Sequence, residues 1–542
     1  MTIVLGIHRD PWHDSGCAVV DKDKDGTRII FNIAEERLNR EKDSRKYPKL
    51  SIESAIDSFG LSSIYDFDLI VKDYIISKNY REDYHKRESI DCPYNLDRSH
   101  ENLQTINHHL CHAASAFYSS GFEESAILIV DGRGTDRETQ SLYYFDGETF
   151  ELLQKTSKIG IGLLYATITQ EIGFKLLQEG KTMGLAPYGE SLYRSRGPIY
   201  DFGCEKNGIE TSYENFCIDN KYEIKTQKGK IKTKEDALLA AYQVQLECEE
   251  VMQYLVKYAA EHTGSKNICI SGGVALNSVS NYKLREKADF QNYFIPPACS
   301  DTGIALGAAL YGYHQIKKEP YRQEKTSAYV GPAYTNYEVD LVKKELESDS
   351  DFTIIEGDLD HISDVAVEIL LKGEILGVCC GRSEMGPRAL GNRSILMNAT
   401  DKNAKAILNS RVKHREEFRP FAPICLSEKA NEFFDIDYEC EHMLYVPKVK
   451  EDKKRLIPAV VHVDNTARVQ TISNKSKSKA RLILEKYEGK TGIPILINTS
   501  FNDNDEPIVQ SPLDAYRCMK RTNLDALLLE TCIIVKDKSF NI

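Results

Sequence analysis

Three apolar segments of this chain break off in the same way. Ala126–Val130 runs into Asp131-Gly132-Arg133-Gly134, Asn267–Ile270 into Ser271-Gly272-Gly273, and Tyr293–Ile295 into the stretch around Ser300-Asp301-Thr302-Gly303. Short apolar runs stopped by Gly with Ser or Asp read as buried strands. In open α/β sheets ligands gather at the carboxyl ends of the strands. Three such turns in one segment therefore predict an α/β fold with one shared site. A long helix is expected between them over Lys234–Thr263, capped by Thr233 with Asp236, with Leu239, Tyr242, Leu246, Val256 and Ala260 on its apolar face. Upstream, Ile3–Gly6 reads as a first strand and Gly16–Val20 as its partner, with Asp21–Arg28 as an exposed tip. Tyr74–His100 lacks periodicity and reads as loop or insertion. Charged, weakly patterned stretches at Ile316–Lys325 and Lys343–Asp351 place a domain boundary near residue 355, giving domains 1–355 and 356–542. No internal repeat is evident.

A chain of 542 residues is long enough for two or three domains. Its formal charge of −12 argues against a surface that grips a nucleic-acid backbone. The longest apolar runs fall far short of a membrane span. No basic stretch leads into an apolar run near Met1, so an export signal is not expected. The 14 cysteines contain no C-x-x-C pair and read as reduced, buried hydrophobes. The expectation is a cytoplasmic protein with no nucleic-acid or membrane partner, with self-association into a homo-oligomer left open.

The most specific local string is Asn107-His108-His109-Leu110-Cys111-His112. On a helix, His108 and His112 share one face and can reach one ion. Two histidines are an incomplete site, but Asp131 and Asp301 stand at strand ends that could complete it. A His/His/Asp/Asp set suits Fe²⁺, Mn²⁺ or Zn²⁺ better than Ca²⁺ or Mg²⁺. His109 and Cys111 point elsewhere on such a helix.

Two Gly-rich turns, Gly180–Ala186 and Ser271–Asn277, match neither the Walker nor the dinucleotide pattern. Their backbone N–H groups could still face a nucleotide phosphate, with Lys181, Gly184, Gly272, Gly273 and Asn277 as the residues concerned. His13 follows the first strand and is a candidate general base. After residue 380 the strings Gly381–Ser394, Val412–Pro423, Val463–Gln470 and Ile497–Asn502 are dense in Arg interleaved with Gly and Pro. Such spacing cannot lie on one exposed helix. It reads as a folded pocket for an anion, where Arg offers a bidentate fork and Lys a point charge. Phe418 and Phe421, the nearby aromatics, sit in a Pro-rich turn and read as structural.

Taken in this order, His108–His112, Gly180–Gly189, Ser271–Asn277, Gly381–Leu396, Val412–Pro423 and Asn498–Val509 resemble the O-carbamoyltransferase family of antibiotic and nodulation-factor biosynthesis. The resemblance covers nearly the whole chain. It implies an N-terminal actin/hexokinase-like domain and a C-terminal YrdC-like α/β domain similar to threonylcarbamoyl-AMP synthases. It also implies that carbamoyl phosphate and ATP, with Mg²⁺, yield a carbamoyl adenylate in the C-terminal domain. A small-molecule hydroxyl would then accept the carbamoyl group in the N-terminal one. The resemblance places a metal, iron, on His108, His112, Asp131 and Asp301. Carbamoyl phosphate and ATP are expected on Arg388, Lys413, Arg415, Arg468, Asn498, Ser500 and Asn502, with catalysis resting on His13, Arg388, Lys413 and Arg468. One departure stands out: the family reads D-G-x-G-E after the aspartate, and here Thr135 occupies the Glu position, with Asp136 or Glu138 as substitutes. Two other readings are a threonylcarbamoyl-type tRNA-modifying or hydrogenase-maturation enzyme, and a non-enzymatic actin-like nucleotide switch. The acidic balance and the lack of C-x-x-C pairs disfavour the first, and a switch would need neither the histidine pair nor the basic pocket.

Overall fold

The computed structural model describes residues 2–9, 13–74, 94, 102–213, 217–218, 224–225 and 229–536. Apart from Tyr74 and Tyr94, the expected loop Tyr74–His100 lies outside the described residues. Both compact units of the chain are mixed α/β. The first comprises Met1–Glu35 and Asp43–Ser327, the second Glu36–Lys42 and Ala328–Ile542. The division falls at Ser327/Ala328 rather than near residue 355. The cause is pairing that sequence pattern does not reveal: Thr353–Glu356 is an antiparallel partner of Cys532–Val535, and helix Asn336–Glu347 packs on helix Pro512–Arg521.

The first unit holds two five-stranded sheets. The first joins β1 (Val4–Arg9), β2 (Ser15–Lys22), β3 (Arg28–Ala34), β4 (Leu69–Tyr74) and β5 (Leu103–Asn107) in the order β3-β2-β1-β4-β5. Helix α1 (His108–Ser120) follows. The second sheet joins β6 (Ser125–Val130), β7 (Gln140–Phe145), β8 (Phe150–Thr156), β9 (Asn267–Ser271) and β10 (Asn292–Phe294) in the order β10-β9-β6-β7-β8. In each, the first strand is antiparallel to the second and parallel to the fourth. The two sheets thus share one plan, and an internal repeat exists after all. It is invisible in the sequence because it is a repeat of connections rather than of residues.

Helix α2 (Lys234–Thr263) precedes β9 and carries the expected capping box of Thr233 and Asp236. Its buried stripe includes Val244, Cys248, Val251 and Leu255, while Tyr242, Leu246 and Ala260 lie at the half-buried edge. Leu239 and Val256 are buried as expected, and small and amide side chains (Ala240, Ala241, Gln243, Gln245) share that buried side. Helix α3 (Ile304–Tyr311) follows β10 and packs both on α1 and on β1 and β2 of the other sheet. The two helices approach so closely that a Cβ on Gly307 would lie 1.8 Å from Cys111 O.

In the second unit an eight-stranded mixed sheet includes β11 (Leu376–Cys379), β12 (Arg393–Asn398), β13 (Ala422–Leu426), β14 (Gln470–Ile472) and β15 (Ile495–Ser500), in the order β11-β12-β15-β13-β14. Helices Leu359–Leu371 and Lys479–Thr491 bury a continuous apolar cluster against it, through Ile362, Ile369, Ile483, Leu484, Val378 and Leu496 among others. This burial removes water from one face and leaves the strand ends to carry polar chemistry. Among the described residues no helix is long and apolar enough to cross a membrane.

Candidate functional site

The first unit brings the three strand-end turns together. Gly273 N donates to Asp131 Oδ1 at 2.7 Å, and Gly272 N to Cys299 O at 2.8 Å. Gly272 has φ +96°, and a Cβ there would sit 2.3 Å from Val130 O. Both facts demand glycine. Across these turns lies the start of α1, capped by Asn107 Oδ1 on Leu110 N. His108 and His112 project from it with ring centroids 4.9 Å apart and planes nearly perpendicular.

His108 Nε2 is 3.5 Å from both Asp131 Oδ2 and Asp301 Oδ1, and His112 Nε2 is 3.6 and 3.4 Å from the same atoms. All four side chains are buried, and neither Nε2 has a hydrogen-bond partner. Metal–ligand bonds of about 2.1 Å in a four-coordinate site set adjacent ligand atoms roughly 3.4 Å apart. Two orphaned imidazole nitrogens facing two carboxylates at this spacing fit a divalent ion. Without a cation the groups must share protons. Burial alone would lower the histidine pKa values, but the facing carboxylates raise both His108 and His112, and Asp131 and Asp301 lie below the ordinary carboxylate range.

The reverse sides of the rings are tethered as well. His108 Nδ1 meets Asp73 Oδ2 at 2.9 Å, and Asp73 Oδ1 meets His8 Nδ1 at 2.9 Å. Asp73 is held down at about 2; its burial opposes this, and the His8 charge with bonds from both histidines overrules it. His112 Nδ1 lies 3.3 Å from Ser271 Oγ. A carboxylate behind a ligating histidine fixes its tautomer and raises its basicity. Sequence reasoning missed Asp73 and His8. A buried acid on β4 and a buried histidine on β1 become adjacent only through the parallel pairing of those strands.

The Thr135 position is also resolved. Thr135 Oγ1 accepts from His108 N at 2.9 Å, while Glu138 takes bonds from Asn107 Nδ2 at 2.6 Å and Asp136 N at 2.5 Å. Glu138 therefore fills the turn, whereas Asp136 pairs outward with Lys155. His13 lies half-buried beside Asp14, with Nδ1 3.2 Å from Asp14 Oδ2, and its charge lowers Asp301. Asn277 is fully engaged. It caps helix Ser278–Lys287 through Ser280 N and exchanges bonds with Gln245. Lys181 stands 5.6 Å over the Phe174 ring, and Gly184 lies inside helix Glu179–Leu185. For Asn277 the structure shows a helix-capping role.

The second unit assembles the basic strings. Burial and the charges of Arg388, Arg415 and Arg419 hold Arg468 well below the ordinary arginine range. Burial and Arg419 bring Arg415 down to about 9. Arg415 also lies 4.2 Å over the Phe421 ring. Arg419 belongs to this cluster although sequence reasoning did not single it out; its string had marked it only as one arginine among many. Lys413 is buried at the end of a π-helical turn, Asn409–Lys413, followed by His414 in the left-handed region. Its Nζ donates to Ser500 O (2.5 Å), Asn502 O (2.8 Å) and Asn502 Oδ1 (2.7 Å). Lys413 thus fixes the Ser500–Asn502 turn and adds charge beneath it. Burial, Arg415 and Arg419 pull it down to about 7. Four half-buried arginines, Arg388, Arg415, Arg419 and Arg468, and the buried Lys413 repel one another, which is costly unless an anion joins them.

The profile described as the carbamoyltransferase N-terminus matches residues 71–310, and that of the carbamoyltransferase C-terminus matches 367–536. Nodulation protein NolNO of Sinorhizobium fredii is 34% identical over 97% of this chain and 79% of its own length. The chain belongs to the carbamoyltransferase family. This carbamoyltransferase is also 34% identical to nodulation protein NolO of Bradyrhizobium diazoefficiens over 80% of the chain and 79% of that protein. Among solved structures, full-length HypF in its phosphate- and nucleotide-bound form is similar at 14% identity and a TM-score of 0.34, over 59% of this chain and 56% of that one.

Proposed function

We propose that this carbamoyltransferase uses carbamoyl phosphate and ATP to carbamoylate a hydroxyl of a small molecule. The observation that carries the reading is the cluster of Arg388, Arg415, Arg419, Arg468 and Lys413, whose mutual repulsion a phosphorylated substrate would relieve. Water releases phosphate from carbamoyl phosphate and leaves carbamate. A carbamate oxygen then attacks the α-phosphorus of ATP and expels pyrophosphate, which gives carbamoyl adenylate. The acceptor hydroxyl attacks the carbonyl carbon of that anhydride, and AMP leaves. Arg388, Arg415 and Arg468 bind and orient the phosphoryl groups of the first two steps. Ser500 and Asn502, fixed by Lys413, line the same end of β15.

His108, His112, Asp131 and Asp301 would hold a divalent ion, Fe²⁺ by the family resemblance, with Mn²⁺ and Zn²⁺ as alternatives. Bound there, it supplies positive charge to neutralise the donor anion during attack. His13 takes the proton of the acceptor hydroxyl, a role typically worth about 10²–10⁴-fold. The test is carbamoyl-phosphate-dependent formation of AMP and pyrophosphate from ATP, with candidate alcohols screened by mass for one added carbamoyl group. Formation of AMP at the same rate without carbamoyl phosphate would overturn the reading.

A further inference from the structure

One buried polar side chain of the first unit stands outside the reaction as described. His8 lies on β1 and is buried, in a strand whose Val4, Leu5 and Ile7 are buried and apolar. Its Nε2 has no hydrogen-bond partner. An apolar side chain would fill the same space without an unmet nitrogen. The polar contact that His8 does make is with Asp73, Nδ1 to Oδ1 at 2.9 Å. Parallel pairing supplies it. Ile7 stands opposite Lys72, so the next residues on the two strands, His8 and Asp73, come side by side.

The contact matters because of what Asp73 meets on its other side. Its Oδ2 lies 2.9 Å from His108 Nδ1. An ionised carboxylate only accepts, so each ring gives it an Nδ1–H. His108 Nε2 is then left bare toward Asp131 and Asp301. Each oxygen of Asp73 serves one ring. Without His8, one of those oxygens is unmet in a buried place, the carboxylate is free to turn, and His108 is free to turn with it. His112 is backed differently, by the neutral hydroxyl of Ser271 at 3.3 Å from its Nδ1. The His108 side of the site is therefore the one held by a charged group, and that group is held from β1.

We propose that His8 is a positioning residue for the metal. It holds Asp73, and through Asp73 it fixes the tautomer and direction of the His108 imidazole, so that retention of the ion depends on a side chain that does not touch it. This rests on the reading of His108, His112, Asp131 and Asp301 as a metal site. The bond to Asp73 needs Nδ1 alone, and this separates the substitutions. Asparagine carries its amide nitrogen where histidine carries Nδ1 and keeps the bond. Leucine fills the space and keeps none. Glutamine carries its amide where Nε2 stands, beyond Asp73.

The experiment loads the full chain with Zn²⁺ and follows its loss to a chromogenic chelator, with thermal unfolding of each metal-free variant measured alongside. His8→Leu should hold Zn²⁺ about ten-fold more weakly than the wild type, the lower end of outer-shell effects, with the metal-free transition not lowered. His8→Asn should hold it as the wild type does. In an Asp73→Asn background His8→Leu should add no further loss, because His8 acts through that carboxylate. Undiminished retention in His8→Leu would overturn the inference. So would an equal loss in His8→Asn, or the full additional loss on Asp73→Asn. If His8→Leu does not fold, His8→Gln takes its place and should lose the ion where His8→Asn keeps it; equal retention by those two would overturn the inference as well. A wild type that holds no Zn²⁺ would instead overturn the metal site, and the inference with it.

Discussion

Asp73 ties the back of a ligand histidine to a second, buried histidine, His8. Its removal should therefore be felt at the metal rather than in the fold. Asp73→Asn keeps the volume but cannot accept from both rings as a carboxylate does. We expect metal retention against a chelator to fall by about 10–100-fold with the thermal transition of the apoprotein little changed; undiminished metal affinity would remove Asp73 from the site. Lys413 gives a second residue-scale prediction. Its folded pKa of about 7 lies below the ordinary 10.5. Between those values the unfolded chain keeps a proton that the folded chain has given up, so stability rises with pH across that window. Below about 7 the cost of the buried charge is fully present. Anions favour the ammonium form, so sulfate, whose own charge is constant here, should bind progressively more weakly as pH rises above about 7. Lys413→Met should bind it weakly at every pH, with the slope abolished; a slope retained in the variant would assign the titration elsewhere.

Elements set how close these residues can come. The contact of α1 with α3 is set by Gly307 against the Cys111 carbonyl. α1 carries both histidines, and Asp301 lies one short turn before α3. Gly307→Ala would drive the helices apart or shift their register. It should cost about 1–3 kcal/mol in denaturant unfolding and weaken metal binding as well, since Asp301 moves with α3. Normal stability with normal metal content would show that the contact is slack. Much of this level was legible beforehand. The three Gly-terminated strands, the capped helix Lys234–Thr263 and the His108/His112 face each follow from local periodicity, and local periodicity survives folding. What was not legible depends on strand partners distant in sequence. Asp73 needed the pairing of β1 with β4, the boundary at Ser327 needed Thr353–Glu356 to find Cys532–Val535, and the amide pair Gln470–Asn498 needed β13 to pair with both β14 and β15 so that the two side chains meet across it. Asn277 carries a helix cap that its Gly-rich string did not reveal, because a helix cap and a phosphate-binding turn draw on the same residue types.

At the scale of the whole molecule, the metal-like cluster and the cation cluster belong to different units. Single substitutions should therefore separate their activities. His112→Ala should lose metal and carbamoyl transfer to an acceptor while phosphate release from carbamoyl phosphate persists. Arg468→Ala should do the reverse, with weakened use of carbamoyl phosphate and full metal content. Joint loss of both activities in a folded variant would mean that the half-reactions cannot run apart. The division of the chain also has a consequence for how the protein is made. Residues Glu36–Lys42 belong to the second unit, where Arg37 bonds to Gly386 O, and Arg40 to Pro507 O and Ile508 O. The last of these contacts spans 468 residues of sequence. At the roughly 5–20 residues per second of translation, a ribosome needs on the order of 20–90 s to travel from Arg40 to Ile508. For that interval the first unit can complete both of its sheets while this basic heptapeptide has no seat. An early segment thus waits to be captured by a part of the chain that emerges far later.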